Sequence, residues 1–121
     1  MTGIVIVDHG SKQSESNEKF EEIVSRFTNL YDHEIVEPAH MEIAHPSIQE
    51  AFDSAVGKGA TEIVVLPYFL LPGKHWHNDI PDLCAKAAAK HPNLTWRVTE
   101  PLGLSDKILE VVAERLSGHT E

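Results

Sequence analysis

Gly3-Ile4-Val5-Ile6-Val7 is an unbroken apolar run rich in β-branched residues, as expected of a strand buried on both faces. It stops at the polar, turn-forming cluster Asp8-His9-Gly10-Ser11. The period then changes: Phe20, Ile23, Val24, Phe27 and Leu30 recur at helical spacing, with Glu18, Glu21, Glu22 and Arg26 opposite. Glu34 to Met41 reads as a second strand, and Pro38, which cannot donate to a central ladder, places it at a sheet edge. Ser47-Ile48-Gln49-Glu50 is a capping box that opens a helix with the stripe Ile48, Ala51, Phe52, Ala55 and Val56. Gly57 and Gly59 close it. Ile63 to Leu66 predicts a third buried strand, followed by a long loop from Pro67 to about Asn78. Asp79 is placed to cap a third helix, striped by Ile80, Leu83, Cys84, Ala87 and Ala88. Leu94 to Val98 is the fourth strand, Pro101-Leu102-Gly103 a turn, and Ile108, Val111, Val112 and Leu116 mark a last helix.

Strict alternation of strand and helix predicts right-handed crossovers and an α/β fold: a parallel four-stranded sheet with helices on both faces. With 121 residues and no linker, repeat or low-complexity tract, residues 1–121 are expected to form a single domain. In such a sheet ligands bind beyond the carboxyl ends of the strands, where strand order reverses. For an order 2-1-3-4 that point lies between the first and third strands. The segments emerging there carry His9 and His75, and the second strand ends beside them at Met41-Glu42. Two imidazoles and a carboxylate from three separate segments are therefore expected to converge on one crevice. They form a partial shell for a divalent first-row metal, with coordination positions left open.

Composition narrows the function. Lys and Arg total 10 against 19 Asp and Glu, a formal charge of −9, which argues against nucleic acid as a partner. The same charge opposes a polyanionic ligand at long range, so backbone N–H groups and a few basic side chains would have to offset it. The apolar run Ile63 to Leu71 is too short to span a bilayer, and no membrane partner is expected. The N-terminus lacks a basic region and enters a strand directly, so no signal peptide is expected. One cysteine, Cys84, leaves no internal disulfide and suits a cytoplasmic setting. Eight histidines are many for a chain this short. No G-x-x-x-x-G-K phosphate loop is present, so nucleotide-driven chemistry is not expected.

Val7-Asp8-His9-Gly10-Ser11, Met41-Glu42-Ile43-Ala44-His45-Pro46-Ser47-Ile48 and Pro72-Gly73-Lys74-His75-Trp76-His77-Asn78-Asp79-Ile80-Pro81 together resemble the small class II sirohydrochlorin chelatases. Each motif alone is common. Three in order, on this pattern of elements and followed by Pro101-Leu102-Gly103, are specific, and the similarity runs over nearly the whole chain. The resemblance implies a chelatase-like fold and an ATP-independent lyase that inserts Co²⁺, Fe²⁺ or Ni²⁺ into sirohydrochlorin, in sirohaem or cobalamin-type biosynthesis. It implies that His9 and His75 bind the metal and take pyrrole protons, with Glu42 as a further acid or ligand. The metal would be a substrate, with no permanently bound cofactor. A homodimer is implied as well, because larger relatives hold two such domains in tandem.

Each residue also has a plainer reading. His9 is equally suited to hydrogen-bonding its own turn, and Glu42 to lying solvated at a strand end. Asp8 is expected to orient His9 or to cap the loop. His75 sits in a connection longer than the usual 4–6 residues or so, which favours function. Trp76 serves equally as a wall for a flat macrocycle or as packing beneath its own loop. Ser11 and Lys74 are candidate partners for substrate carboxylates, and Ser11, Ser14, Ser16 and Asn17 also suit capping of the first helix. His40 and His45 are left out of the metal shell, and His77 reads as a solvated loop residue. A non-catalytic metal carrier that exploits the surplus of histidines is the rival function. A flavodoxin-like phosphate binder is disfavoured, because Asp8 would stand where the phosphate sits.

Overall fold

A computed structural model describes residues 1–71 and 73–118, the side chains of 74–76 excepted. The elements run β1 (Thr2–Asp8), α1 (Ser14–Leu30), β2 (Val36–His40), α2 (Ile48–Gly57), β3 (Glu62–Pro67), α3 (Lys74–Ala88), β4 (Thr95–Val98) and α4 (Asp106–Gly118). All strand pairs are parallel, in the order β2-β1-β3-β4. β1 is central and apolar on both faces, with Val5 and Val7 fully buried on one and Ile6 on the other. β2 is an edge strand, as Pro38 demands, and its Glu37 reaches Lys58 at 2.7 Å.

The larger core lies between the sheet and α2 and α3, built on Val5, Val7, Phe52, Ile63, Val65, Ile80 and Cys84. Burial pushes the Cys84 thiol up to about 12, so it is an inert packing group and no ligand or nucleophile. A smaller core under α1 joins Ile6, Phe20 and Val24. No residue of α4 is buried.

The third helix departs from expectation. It begins at Lys74, not near Asp79, so Pro81 lies in its interior. Pro81 supplies no N–H to the carbonyl four residues earlier, a loss of roughly 3 kcal/mol in a helix interior. Full burial of the neighbouring Ile80 and Cys84 against the sheet offsets that loss. The connection from β3 is thereby reduced to residues 68–73, an ordinary length, and the loop-length argument for His75 falls away. His75 stands in the first turn of a helix.

The capping box of α2 forms as predicted: Ser47 accepts from Glu50 N–H at 3.1 Å, and Glu50 accepts from Ser47 N–H at 2.8 Å. His45 lies 2.7 Å from Glu50, and His91, after α3, lies 2.6 Å from Asp53 of α2. These histidine hydrogen bonds are the leading reason that both carboxyls ionise below their ordinary values of 4.5 and 3.8. A carboxyl that releases its proton more readily when folded stabilises the fold fully above its unfolded pKa, and the contribution disappears as pH falls through the lower folded value. Melting temperature should therefore drop as pH falls below about 4. Asp53→Asn should flatten that slope, and identical slopes for variant and parent would remove the His91–Asp53 pair as a source of acid lability.

Candidate functional site

β1 and β2 end together, with Asp8 in register with His40. Their pairing continues into the loops: Met41 N–H donates to the Asp8 carbonyl at 2.8 Å and Glu42 N–H to the His9 carbonyl at 3.1 Å. This brings His9 Nε2 to 2.8 Å from Glu42 Oε2, with the side chains 52% and 57% exposed. An ion pair that open to water contributes only about 0–1 kcal/mol, so stability does not explain why the two are held together.

Two backbone features make the approach possible. Gly10 has φ +94°, and a Cβ there would collide with the Glu42 carbonyl oxygen and crowd His40. Only glycine fits. Ile43, a β-branched residue, is held at φ +77°, a conformation that costs roughly 1–3 kcal/mol. Ala44 N–H closes the turn by donating to the Glu42 carbonyl at 2.8 Å.

His9 is also oriented at its other nitrogen. Nδ1 lies 3.1 Å from the Gly10 carbonyl, which can only accept, so Nδ1 carries the hydrogen. The 2.8 Å contact of Nε2 with a carboxylate oxygen then needs a shared proton, and loss of that proton to an incoming metal frees an Nε2 lone pair directed at Glu42 and the open space beside it. Bonds of about 2.1 Å from one metal to an imidazole nitrogen and a carboxylate oxygen leave these atoms about 3 Å apart when mutually cis. A separation of 2.8 Å fits that edge with almost no movement.

Among the described residues no group of three or more metal-ligating side chains gathers. His9 and Glu42 meet as expected, whereas the side chains of His75, Lys74 and Trp76 lie outside the described residues. Only the place of these three in the first turn of α3, after the carboxyl end of β3, is established. His77 is exposed and lines a groove with Ile80 and Pro101.

Two roles are corrected. Asp8 does not orient His9: its Oδ1 lies 2.6 Å from Nδ1 of His40, and the Gly10 carbonyl sets the His9 tautomer instead. Ser11 N–H is not open to a substrate carboxylate, because it donates to Asn17 Oδ1 at 3.0 Å. Asn17 Nδ2 donates back to the Ser11 carbonyl at 2.8 Å, and Ser11 Oγ accepts from Gln13 N–H at 2.9 Å. These bonds brace the His9 loop against α1. Gln13 is the α1 N-cap, and its side chain makes no capping bond.

His9 and Ser11 line a cavity of about 550 Å³ that runs along α1 past Lys19, Phe20, Ile23 and Tyr68. Glu42 lines a second groove towards α3, with Asp79, Asp82 and Lys86. Lys19 joins this cavity from α1, a placement that the sequence does not announce. Its one sequence signal is its position in α1, on the same side as Glu15, which also lines the cavity.

The CbiX family profile matches residues 3–119. The chain belongs to the CbiX family. Over 114 residues it is 50% identical to the chloroplastic sirohydrochlorin ferrochelatase of Arabidopsis thaliana, covering 94% of this chain and 51% of that protein. It is 33% identical over 126 residues to the sirohydrochlorin cobaltochelatase of Saccharolobus islandicus, covering 97% and 94%. Its structure is similar to that of the sirohydrochlorin chelatase SirB from Bacillus subtilis subspecies spizizenii in complex with cobalt, with TM-score 0.91 and 26% identity, over 98% of this chain and 50% of that one. The chain thus spans about half the length of the first and third of these CbiX relatives. The sheet order read from the sequence is the one this CbiX chain adopts.

Proposed function

We propose that the chain inserts a divalent metal, Co²⁺, Fe²⁺ or Ni²⁺, into sirohydrochlorin, as an ATP-independent lyase of sirohaem or cobalamin-type biosynthesis in the cytoplasm. The 2.8 Å contact between His9 Nε2 and Glu42 Oε2 carries this reading, because it aims a nitrogen and an oxygen at one exposed point. Membership of the CbiX family supports it. The ion is held at that point as a substrate, with His75 as the third ligand and no resident cofactor. Sirohydrochlorin enters beside it, and Ser11, Lys74 and Trp76 belong to the wall that receives it. As the ion passes to the pyrrole nitrogens, the displaced N–H protons leave through His9 and Glu42, which keeps charge in balance. A shell with open positions suits a metal that must be handed on; a closed one would retain it. Lys19, in the cavity beside His9, gives a local cation to the macrocycle's carboxylates against the net charge of −9.

Anaerobic incubation with sirohydrochlorin and each metal in turn, followed by absorbance, tests the reading. Initial rates well above the uncatalysed reaction are expected for at least one metal. Metal binding without any tetrapyrrole spectral change would favour the carrier instead.

The domain spanning residues 1–121 is further proposed to act as a homodimer. Leu109, Val112 and Leu116 of α4 are 63%, 49% and 68% exposed, an apolar stripe left uncovered by the chain's own sheet. Most of a ligand's surface is normally buried, roughly 70–90% for drug-sized molecules, and the cavity beside His9 is too open to enclose a macrocycle alone. A second copy would cover that stripe, and two-fold dimers are the commonest assembly. Sedimentation should give about twice 13.5 kDa. Leu109→Glu combined with Leu116→Glu should halve that mass, and a parent chain that sediments as a monomer at working concentration would rule the dimer out.

A further inference from the structure

His40 is the one buried histidine among the described residues, with none of its surface exposed. It ends β2 on the α1 side of the sheet, and its ring meets a partner at every edge. Nδ1 lies 2.6 Å from Asp8 Oδ1, Nε2 lies 3.1 Å from Glu21 Oε2 of α1, and the ring packs 5.5 Å from that of Phe20. Its backbone N–H donates to the Pro46 carbonyl at 2.8 Å, which ties in the far end of the Glu42 loop. A buried imidazole with both nitrogens matched is ordinarily a core residue. What distinguishes this one is what its partners carry.

Asp8 is joined directly to His9, and Glu42 follows His40 by two residues. The Asp8–His40 contact therefore bridges the last in-register residues of β1 and β2, at the point from which the His9–Glu42 pair is suspended. Glu21 attaches this bridge to α1, the same helix whose Asn17 clamps Ser11. The crowded approach at Gly10 is bounded by the His40 Cβ on one side and the Glu42 carbonyl on the other. Shortening or removing the His40 side chain releases Asp8 and Glu21 together and loosens the packing beside Gly10. The exposed pair's own attraction across water adds little, so its spacing is set by the backbone bonds that join the two loops and by this bridge behind them.

We infer that His40 is the positioning residue of the metal-receiving pair, setting the 2.8 Å separation of His9 Nε2 and Glu42 Oε2 by bridging Asp8 to Glu21. The inference rests on the metal-insertion reading and adds to it a residue that touches neither metal nor macrocycle. Groups that orient metal ligands from behind typically change affinity or activity by about 10–100-fold when lost.

Two measurements test it: Co²⁺ titration of the protein without tetrapyrrole, and insertion kinetics in which Co²⁺ and sirohydrochlorin are varied separately. His40→Ala should weaken Co²⁺ binding and raise the KM for Co²⁺ by about 10-fold or more, with the KM for sirohydrochlorin within about 2-fold of the parent. His40→Asn sets an amide N–H near the position of Nδ1 and should recover most of the loss through Asp8. Glu21→Ala, on a side chain 41% exposed, keeps the Asp8 contact and should give an intermediate rise of about 3-fold. That variant decides the matter if His40→Ala does not fold. A fall in kcat alone, with both KM values and Co²⁺ affinity at parental levels, would reduce His40 to a structural residue and overturn the inference. A parent enzyme that binds Co²⁺ but inserts none would instead defeat the metal-insertion reading, and the titration would still report on His40.

Discussion

Replacing His9 by alanine should lower metal insertion by about 10²–10⁴-fold while leaving the fold intact. The side chain is 52% exposed, so little packing is lost with it. What disappears is the one nitrogen whose lone pair is aimed, through the hydrogen bond of Nδ1 to the Gly10 carbonyl, at the same point as Glu42 Oε2. Glu42→Gln tests the other half of the pair. Its amide retains size and a hydrogen-bonding oxygen but cannot take a pyrrole proton, so insertion should fall while sirohydrochlorin still binds. The two losses should be far from additive, since either change dismantles one site. The rate is expected to fall on acidification as well, because protons compete with a metal for its ligand atoms. Insertion at the parental rate by a folded His9→Ala protein would remove the imidazole from the chemistry altogether. Unfolding of that variant, seen by circular dichroism, would reassign the residue to structure.

Gly10→Ala should damage both the fold and the site, since of Gly3, Gly10, Gly57, Gly59, Gly103 and Gly118 it is the one where an added Cβ meets backbone most closely. It forces an L-residue to hold φ +94°, which costs roughly 1–3 kcal/mol. It also drives a Cβ into the Glu42 carbonyl, a backbone atom that cannot swing aside as the end of a side chain would. Relief requires the two loops to part, which lengthens the His9–Glu42 contact and strains the bridge at His40. Denaturant midpoints should fall by the equivalent of about 1–3 kcal/mol at an unchanged slope, together with a loss of Co²⁺ affinity of about 10-fold or more. Alanine at Gly57, where an added Cβ meets nothing within 4 Å and φ is not positive, is the matched control and should change neither quantity. Parental stability and affinity in Gly10→Ala would mean that the loops do not approach as described.

The elements of this protein are legible in its sequence because they are local. The β-branched run of β1, the Ser47–Glu50 capping box and the stripes of α1 and α2 each follow from residues close together in the chain. Pro38 announces an edge strand for the same reason. From the alternation of elements, chirality leaves few topologies, so the order 2-1-3-4 and the convergence of His9 with Glu42 at the carboxyl ends could be stated in advance. The start of α3 is hidden from the sequence because Pro81 is a local signal against helix, whereas the burial of Ile80 and Cys84 that overrides it is a tertiary effect. The partner of Asp8 is hidden for a related reason: sequence adjacency points to His9, but successive side chains on a strand point to opposite faces. Its partner is the cross-strand neighbour His40, thirty-two residues away. Lys19 and Glu21 are two of many charged residues on α1, and nothing in the chain separates them from Glu18 or Glu22. Only the docking of α1 on β1 and β2 selects Lys19 to line the cavity and Glu21 to hold the imidazole. The chemical groups and their approximate meeting place were thus set by local pattern. Their spacing and the bridge behind them come from long-range contacts, which no window of sequence contains.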